Sequence, residues 1–193
     1  MPVINKTDNH FLRDKIQLRI ERSPWPTDRP LRVLDAFGGK GRVWAGVTRL
    51  SGKVVERTAI DYRDDVSDFH LHGDNTKVMA GLDLARFDCI DLDAYGIPCD
   101  PLFECLRQGY VGTVFVTFIQ TVHGRLPNRL LMAMGFNASQ LATAGTLCSK
   151  RGWQYFLQWL AWQGVTRVWH RSKARKHYLA FALGAARPAA ADG

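Results

Sequence analysis

Three apolar runs in this chain end in aspartate, and the first of them is followed at once by a glycine turn. LRVLD (31–35) leads into AFGGKGR, VVERTAID (54–61) stops at Asp61, and FDCIDLD (87–93) stops at Asp93. Short runs of this kind read as strands, and helical spacing resumes between them. Strands alternating with helices restrict the chain to a largely parallel sheet with right-handed crossovers, a doubly wound α/β domain. Ligands of such sheets sit beyond the carboxyl ends of the strands. Asp35, Asp61, Asp74 and Asp93 fall at or just past predicted strand ends, so they are expected to line one rim.

The remaining elements fill out this frame. A helix is expected from Arg42 to about Leu50, and FHLH (69–72) reads as a short strand. Asp74 or Asn75 then caps the next helix. Asp100 and Pro101 open a helix through LFECLRQ, since proline suits a first turn. TVFVTFI (113–119) is β-branched and aromatic, hence a buried strand. Apolar residues at 153, 156, 157, 160 and 161 give GWQYFLQWLAWQG (152–164) the spacing of a core-facing helix. VTRVWH (165–170) and HYLAFAL (177–183), joined by RSKARK, read as an antiparallel hairpin that reverses the last strand. Residues 120–150 break the rhythm with two weak helical patterns and no strand. They are expected to be a substrate-side insertion in a domain spanning 31–184, with 1–30 an N-terminal extension and 185–193 a disordered tail.

Composition narrows the class. The chain has 193 residues, 46% of them hydrophobic, which is enough for one well-filled core. Cys89, Cys99, Cys105 and Cys148 form no C-x-x-C pair, so neither a disulfide scaffold nor a structural zinc site is expected. His123, His170 and His177 are too dispersed for a metal triad. The first ten residues are polar, unlike a signal peptide, and the longest apolar stretch is too short for a membrane span. A cytoplasmic, reduced protein is expected. The net charge of +8 is unevenly spread: residues 1–32 carry +3, residues 33–149 carry −2 and residues 150–193 carry +7. Basic ends around an acidic middle suit a polyanion partner as well as simple solubility. In the hairpin, Arg171, Lys173, Arg175 and Lys176 are the candidate phosphate contacts.

Two clusters carry chemistry. A glycine turn lets the backbone approach a ligand, and an acid at the end of the next strand can accept from ribose hydroxyls. Asp61 follows Gly41 by twenty residues. The dinucleotide pattern G-x-G-x-x-G is not met, because Trp44 stands where the third glycine belongs. Asp35 beside the turn would repel a pyrophosphate, so a nucleoside with a cationic tail fits better. In FDCIDLDAYGIP, an acid and an aromatic at a strand end can hold a planar amine: Asp93 accepts from it and Tyr95 stacks on its ring. The alternative is that Asp91 and Asp93 cap a loop and Tyr95 is core. Cys99, after Pro98, is read as a buried thiol rather than a nucleophile. Trp153, Trp159, Trp162 and Trp169 are read as core.

Together these clusters resemble the class I S-adenosylmethionine-dependent methyltransferases. LDAFGGKG is similar to their first motif, Asp61 to the acid of the second, Asp74 in LHGDN to the adenine-side residue of the third, and DLDAYG to the fourth. The resemblance spans roughly residues 30–183 and implies a Rossmann-like fold, mostly parallel with an antiparallel last strand. It implies S-adenosyl-L-methionine as cofactor, with Asp35, Phe37, Gly39, Gly41, Asp61, Asp74, Asn75 and Asp91 as its contacts. FDCIDLDAYGIP is similar to the FDxIDxDPFGxP segment of tRNA guanine dimethyltransferases, with Ala94 in place of the proline. That implies methylation of an exocyclic amine of a nucleic-acid base, RNA favoured over DNA, with Asp93 and Tyr95 as catalytic residues. FLRDK resembles an upstream N-R-D segment of that family, which would bring Arg13 to the site. A methyltransferase for a protein or small molecule, a nicotinamide oxidoreductase and a non-catalytic cofactor-binding module share the same architecture.

Overall fold

A computed structural model describes residues 11–63, 70–119, 126–143, 151–173 and 176–184. Strand β1 (Leu31–Asp35) lies near the centre of a seven-stranded sheet. On one side it pairs in parallel with β2 (Val55–Asp61), which pairs in parallel with β3 (His70–His72). On the other it pairs in parallel with β4 (Cys89–Leu92), which is followed by parallel β5 (Gly112–Ile119). The sheet order is β3-β2-β1-β4-β5-β7-β6, where β6 (Val168–Lys173) and β7 (Lys176–Leu183) form an antiparallel hairpin and β7 inserts beside β5. The doubly wound, mostly parallel sheet expected from the sequence is the observed fold. Only β7 is reversed, as expected of the last strand: β6, antiparallel to β7, runs in the same direction as β5.

Two cores form, one on each face. On one face helices α1 (Leu12–Arg22) and α2 (Arg42–Ser51) bury Ile16, Leu18, Trp44 and Val47 against Val33, Phe115 and Ala180. On the other, α4 (Cys99–Arg107) and α7 (Gly152–Trp162) pack with Ile90, Val116 and Phe181, and α3 (Asn75–Ala80) contributes Met79. Helix α1 belongs to the stretch read as an extension, yet its apolar side is part of the first core. Two short helices, α5 (Asn128–Ala133) and α6 (Ala138–Thr143), account for the two weak helical patterns between β5 and α7. None of the helices among the described residues is long and apolar enough to cross a membrane.

Several local expectations are corrected. RSKARK is not a long loop: Arg171, Ser172 and Lys173 pair with Tyr178, His177 and Lys176, so both strands run almost to the tip. Arg171 is held there by α1, its Nη2 donating to Glu21 Oε1 at 2.8 Å, with Asp14 at 3.7 Å. Trp159 is core, but Trp162 at the end of α7 is exposed. Cys99 is a buried thiol, and burial followed by the charge of Asp100 pushes it up to about 12, as expected of a non-nucleophile. Arg175, His123, Cys148 and the 185–193 tail lie outside the described residues.

Candidate active site

The carboxyl ends of β1 and β4 open onto a cleft enclosing about 120 Å³. The glycine turn Phe37–Gly41 forms one wall, and Asp93, Ala94 and Tyr95 the other. Lys15 of α1, Lys176 and Tyr178 of β7 and Arg42 of α2 also line the cleft. Asp35 and Asp91 are register partners on β1 and β4 and share the face of the sheet that carries α1 and α2.

The turn is shaped by β2. Gly39 and Gly41 have φ of 46° and 62°, a region that side chains with a Cβ rarely occupy. At Gly38 a Cβ would stand 2.8 Å from Ala59 Cβ and 2.9 Å from Arg57 Nη2. Arg57 fastens the turn from below: its Nε donates to Asp35 Oδ2 at 2.8 Å and its Nη2 to the Gly38 carbonyl at 2.7 Å. Asp61 holds the far side, accepting from Gly39 N at 2.9 Å and from Arg63 N at 3.0 Å. Burial, then the neighbouring charge of Asp91, pushes the Asp35 carboxyl up to about 6 against the opposing pull of Arg57.

The two acids at the end of β4 are tied to α1 through residues that the motif reading did not use. Arg19 on α1 donates through Nε and Nη2 to the two oxygens of Asp91, and Trp44 Nε1 donates to Asp91 Oδ2 at 2.7 Å. Burial alone would depress the Arg19 guanidinium, but Asp91, with Asp93 and Asp35 beyond it, raises it above its ordinary value. One helical turn earlier, Lys15 Nζ lies 2.7 and 2.8 Å from the two oxygens of Asp93, and Thr117 of β5 donates to Oδ1. Burial would raise the Asp93 carboxyl, yet Lys15, Arg19 and these hydrogen bonds hold it below the usual carboxylate range.

The expected residues therefore separate. Asp35, Phe37, Gly39, Gly41, Asp93 and Tyr95 do meet at one cleft. Asp91 reaches the cleft wall, but its carboxylate ends on Arg19 and Trp44 and is nearly inaccessible. Asp61 is buried at the end of β2, outside this cleft, with its oxygens turned to backbone donors. Asp74 caps α3 through Lys77 N, and Asn75 donates to the Ala36 carbonyl, so both brace the rim instead of lining the cleft. Tyr95 is 64% exposed, which removes the reading of it as core. Arg13 is exposed and does not line the cleft, whereas Lys15 does. Lys15 and Arg19 were missed, although their spacing was visible. Two cations four apart on a helix span about 6 Å. Two acids two apart on a strand span about 6.6 Å, so the pairs can match.

No protein-family model matches this chain, and no curated relative does either. Solved structures do. The CurJ carbon methyltransferase superposes with a TM-score of 0.50 at 14% identity, covering 84% of this chain and 50% of that one. An S-adenosylmethionine-dependent methyltransferase from Archaeoglobus fulgidus gives 0.50 at 12% identity, over 87% of this chain and 92% of the other. Human N-acetylserotonin methyltransferase, solved with S-adenosylmethionine, gives 0.53 at 14% identity, over 90% and 52%. The chain spans about half the length of the first and third and nearly all of the second. At these identities the likeness concerns architecture: the chain carries the fold of the class I S-adenosylmethionine-dependent methyltransferases.

Proposed function

We propose that this protein is an S-adenosylmethionine-dependent methyltransferase acting in the cytoplasm on an amine nitrogen of a nucleic-acid base, RNA favoured over DNA. The observation that carries the reading is the cleft itself, where a glycine turn after β1 faces an ionised acid and an exposed aromatic after β4. The similarity of FDCIDLDAYGIP to tRNA guanine dimethyltransferases supports the amine as acceptor.

The residues present fit the cofactor in kind. Gly38 leaves room that a Cβ would fill, and Gly39 and Gly41 take a backbone shape few other residues adopt. Asp61 Oδ2 takes one backbone hydrogen bond and Oδ1 takes one as well as the Arg63 Nε at 3.5 Å, so among the described residues one of about four acceptor positions, on Oδ2, is left for a ribose hydroxyl. Phe37, Gly39, Gly41 and Asp61 would hold the nucleoside, and Asp35 would sit near its cationic end. Bound there, S-adenosylmethionine supplies an electrophilic methyl group on a sulfonium. A volume of about 120 Å³ suits the reacting groups rather than a whole ligand, since complete small-molecule sites run to ~300–1,000 Å³.

The chain's own contribution is orientation. Asp93 would accept a hydrogen bond from the amine and so fix the direction of its lone pair, and Tyr95 would stack on the ring. Lys40 and Arg42 at the mouth make it cationic, because Asp35, Asp91 and Asp93 are already matched by Arg57, Arg19 and Lys15. A cationic mouth suits a phosphodiester chain.

Thermal shift with S-adenosylhomocysteine against NAD, followed by transfer of labelled methyl groups to bulk tRNA and to DNA, tests the reading. A ligand at a hundredfold its Kd stabilises by about 2.7 kcal/mol. Stabilisation by NAD alone would point to an oxidoreductase. Stabilisation by S-adenosylhomocysteine with no transfer to either pool would point to a non-catalytic module.

A further inference from the structure

Helix α1 reaches the site through two cations at one spacing, and they do different work. Arg19 meets Asp91 behind the cleft, with side chains only 2% and 1% exposed. Lys15 meets Asp93 at its edge, with side chains 14% and 12% exposed, and both residues line the cleft. Lys15 Nζ also lies 5.3 Å from the centre of the Tyr178 ring, so it is held from two sides. A carboxylate has about four acceptor positions. On Asp93, Lys15 takes one on each oxygen and Thr117 takes a second on Oδ1. Among the described residues, one position on Oδ2 is left for a ligand.

We propose that Lys15 is a positioning residue: from α1 it clamps the Asp93 carboxylate as a fixed, charged hydrogen-bond acceptor with one place for a donor, so that Asp93 orients the acceptor amine while the proton of the methylated nitrogen leaves to water. The inference rests on the function proposed above. Its physical basis is the balance of groups around Asp93. Lys15 and Arg19 approach from α1, Thr117 from β5, Tyr178 and Lys176 from β7, and Asp35 and Asp91 from β1 and β4. Burial and the two acids disfavour charge on Asp93, and the two α1 cations favour it. Arg19 is committed to Asp91 and stands 3.9 Å from Asp93. Lys15 is therefore the partner whose removal tips the balance. A carboxylate held ionised by a bound ammonium is a weak base, which suits an acceptor that must keep its charge through every turnover.

The test follows the Asp93 carboxyl by carbon NMR in aspartate-labelled protein, with Asp93→Asn identifying the signal, in wild type, Lys15→Met and Lys15→Arg. The expected result is a titration midpoint below the ordinary carboxylate range in wild type, shifted upward in Lys15→Met and kept low in Lys15→Arg. An unchanged midpoint in Lys15→Met overturns the proposal. The second arm is the pH profile of methyl transfer. Lys15→Met should lose rate at the acid end alone, a limb absent from wild type and from Lys15→Arg. Equal loss at every pH would mean that Lys15 only holds α1 in place, and would overturn it. If wild-type protein methylates neither tRNA nor DNA, the proposed reaction falls, while the titration, read on the protein alone, still decides whether Lys15 sets the charge of Asp93.

Discussion

Arg19 and Asp91 form a two-pronged ion pair inside the protein, joining the first helix to the fourth strand across 72 residues of sequence. Both of its acceptor oxygens are used, and Trp44 adds a third donor. The pair anchors α1 so that Lys15, one turn earlier, meets Asp93.

Arg19→Met should therefore be strongly destabilising, because it leaves a buried carboxylate with only an indole donor. Breaking one half of a buried pair typically costs about 3–5 kcal/mol. Urea denaturation of Arg19→Met, Asp91→Leu and the double variant checks this. The double variant should be markedly more stable than the sum of the single losses predicts, since no unpaired charge remains.

Gly38→Ala should disturb the turn through contact rather than through backbone strain. The new methyl would meet Ala59 Cβ at 2.8 Å and the Arg57 guanidinium at 2.9 Å. Overpacking of this kind costs about 1–3 kcal/mol. Calorimetry with S-adenosylhomocysteine should also show weaker binding, because Arg57 is what fastens the turn to Asp35. Unaltered stability and affinity together would contradict the packing described.

Asp35 makes stability depend on pH in a direction opposite to that of most carboxylates. Its folded pKa of about 6 lies above the ordinary value of 3.8, so the folded state holds its proton more tightly than the unfolded chain does. Stability from this group is complete below about pH 4 and declines as pH rises to about 6, by roughly 3 kcal/mol. Asp35→Asn cannot titrate. The stability of wild type relative to Asp35→Asn should therefore fall across that window and level off above it, as measured by denaturation at fixed pH values.

Asp93→Asn should separate turnover from cofactor affinity. The amide keeps an acceptor oxygen but no charge, so a loss of about 10²-fold in methyl transfer, near 3 kcal/mol, is expected. Affinity for S-adenosylhomocysteine should barely move, since Asp93 is assigned to the acceptor. A wild-type rate in this variant would rule out the amine-orienting role.

The hairpin offers a contrast between neighbours. Arg171 is already engaged by Glu21 at 2.8 Å, whereas Lys173 is exposed. Changing Lys173 to Ala should lower the salt dependence of RNA binding by about one unit of slope. Arg171→Ala should leave that slope nearly unchanged and show its effect in stability instead. The reverse ranking would move the phosphate contacts to Arg171.

What the sequence by itself determined was everything written in short-range pattern. LRVLD, VVERTAID and FDCIDLD announce the central strands because period and punctuation act within a few residues. AFGGKG announces a turn whose glycines take left-handed backbone. The acids at the strand ends fall on one rim because parallel strands share a carboxyl end. Tertiary structure alone decided which of those acids remain open to a ligand. Asp91 and Asp93 are the same residue type two positions apart with the same parity, one in β4 and one just past its end, and the local sequence does not say which stays open. They differ because α1 packs against that face and sets Arg19 on one and Lys15 on the other, 72 and 78 residues away in the chain. The charge, solvation and free acceptor positions of a buried carboxylate depend on such neighbours, and the neighbours are chosen by packing rather than by sequence proximity.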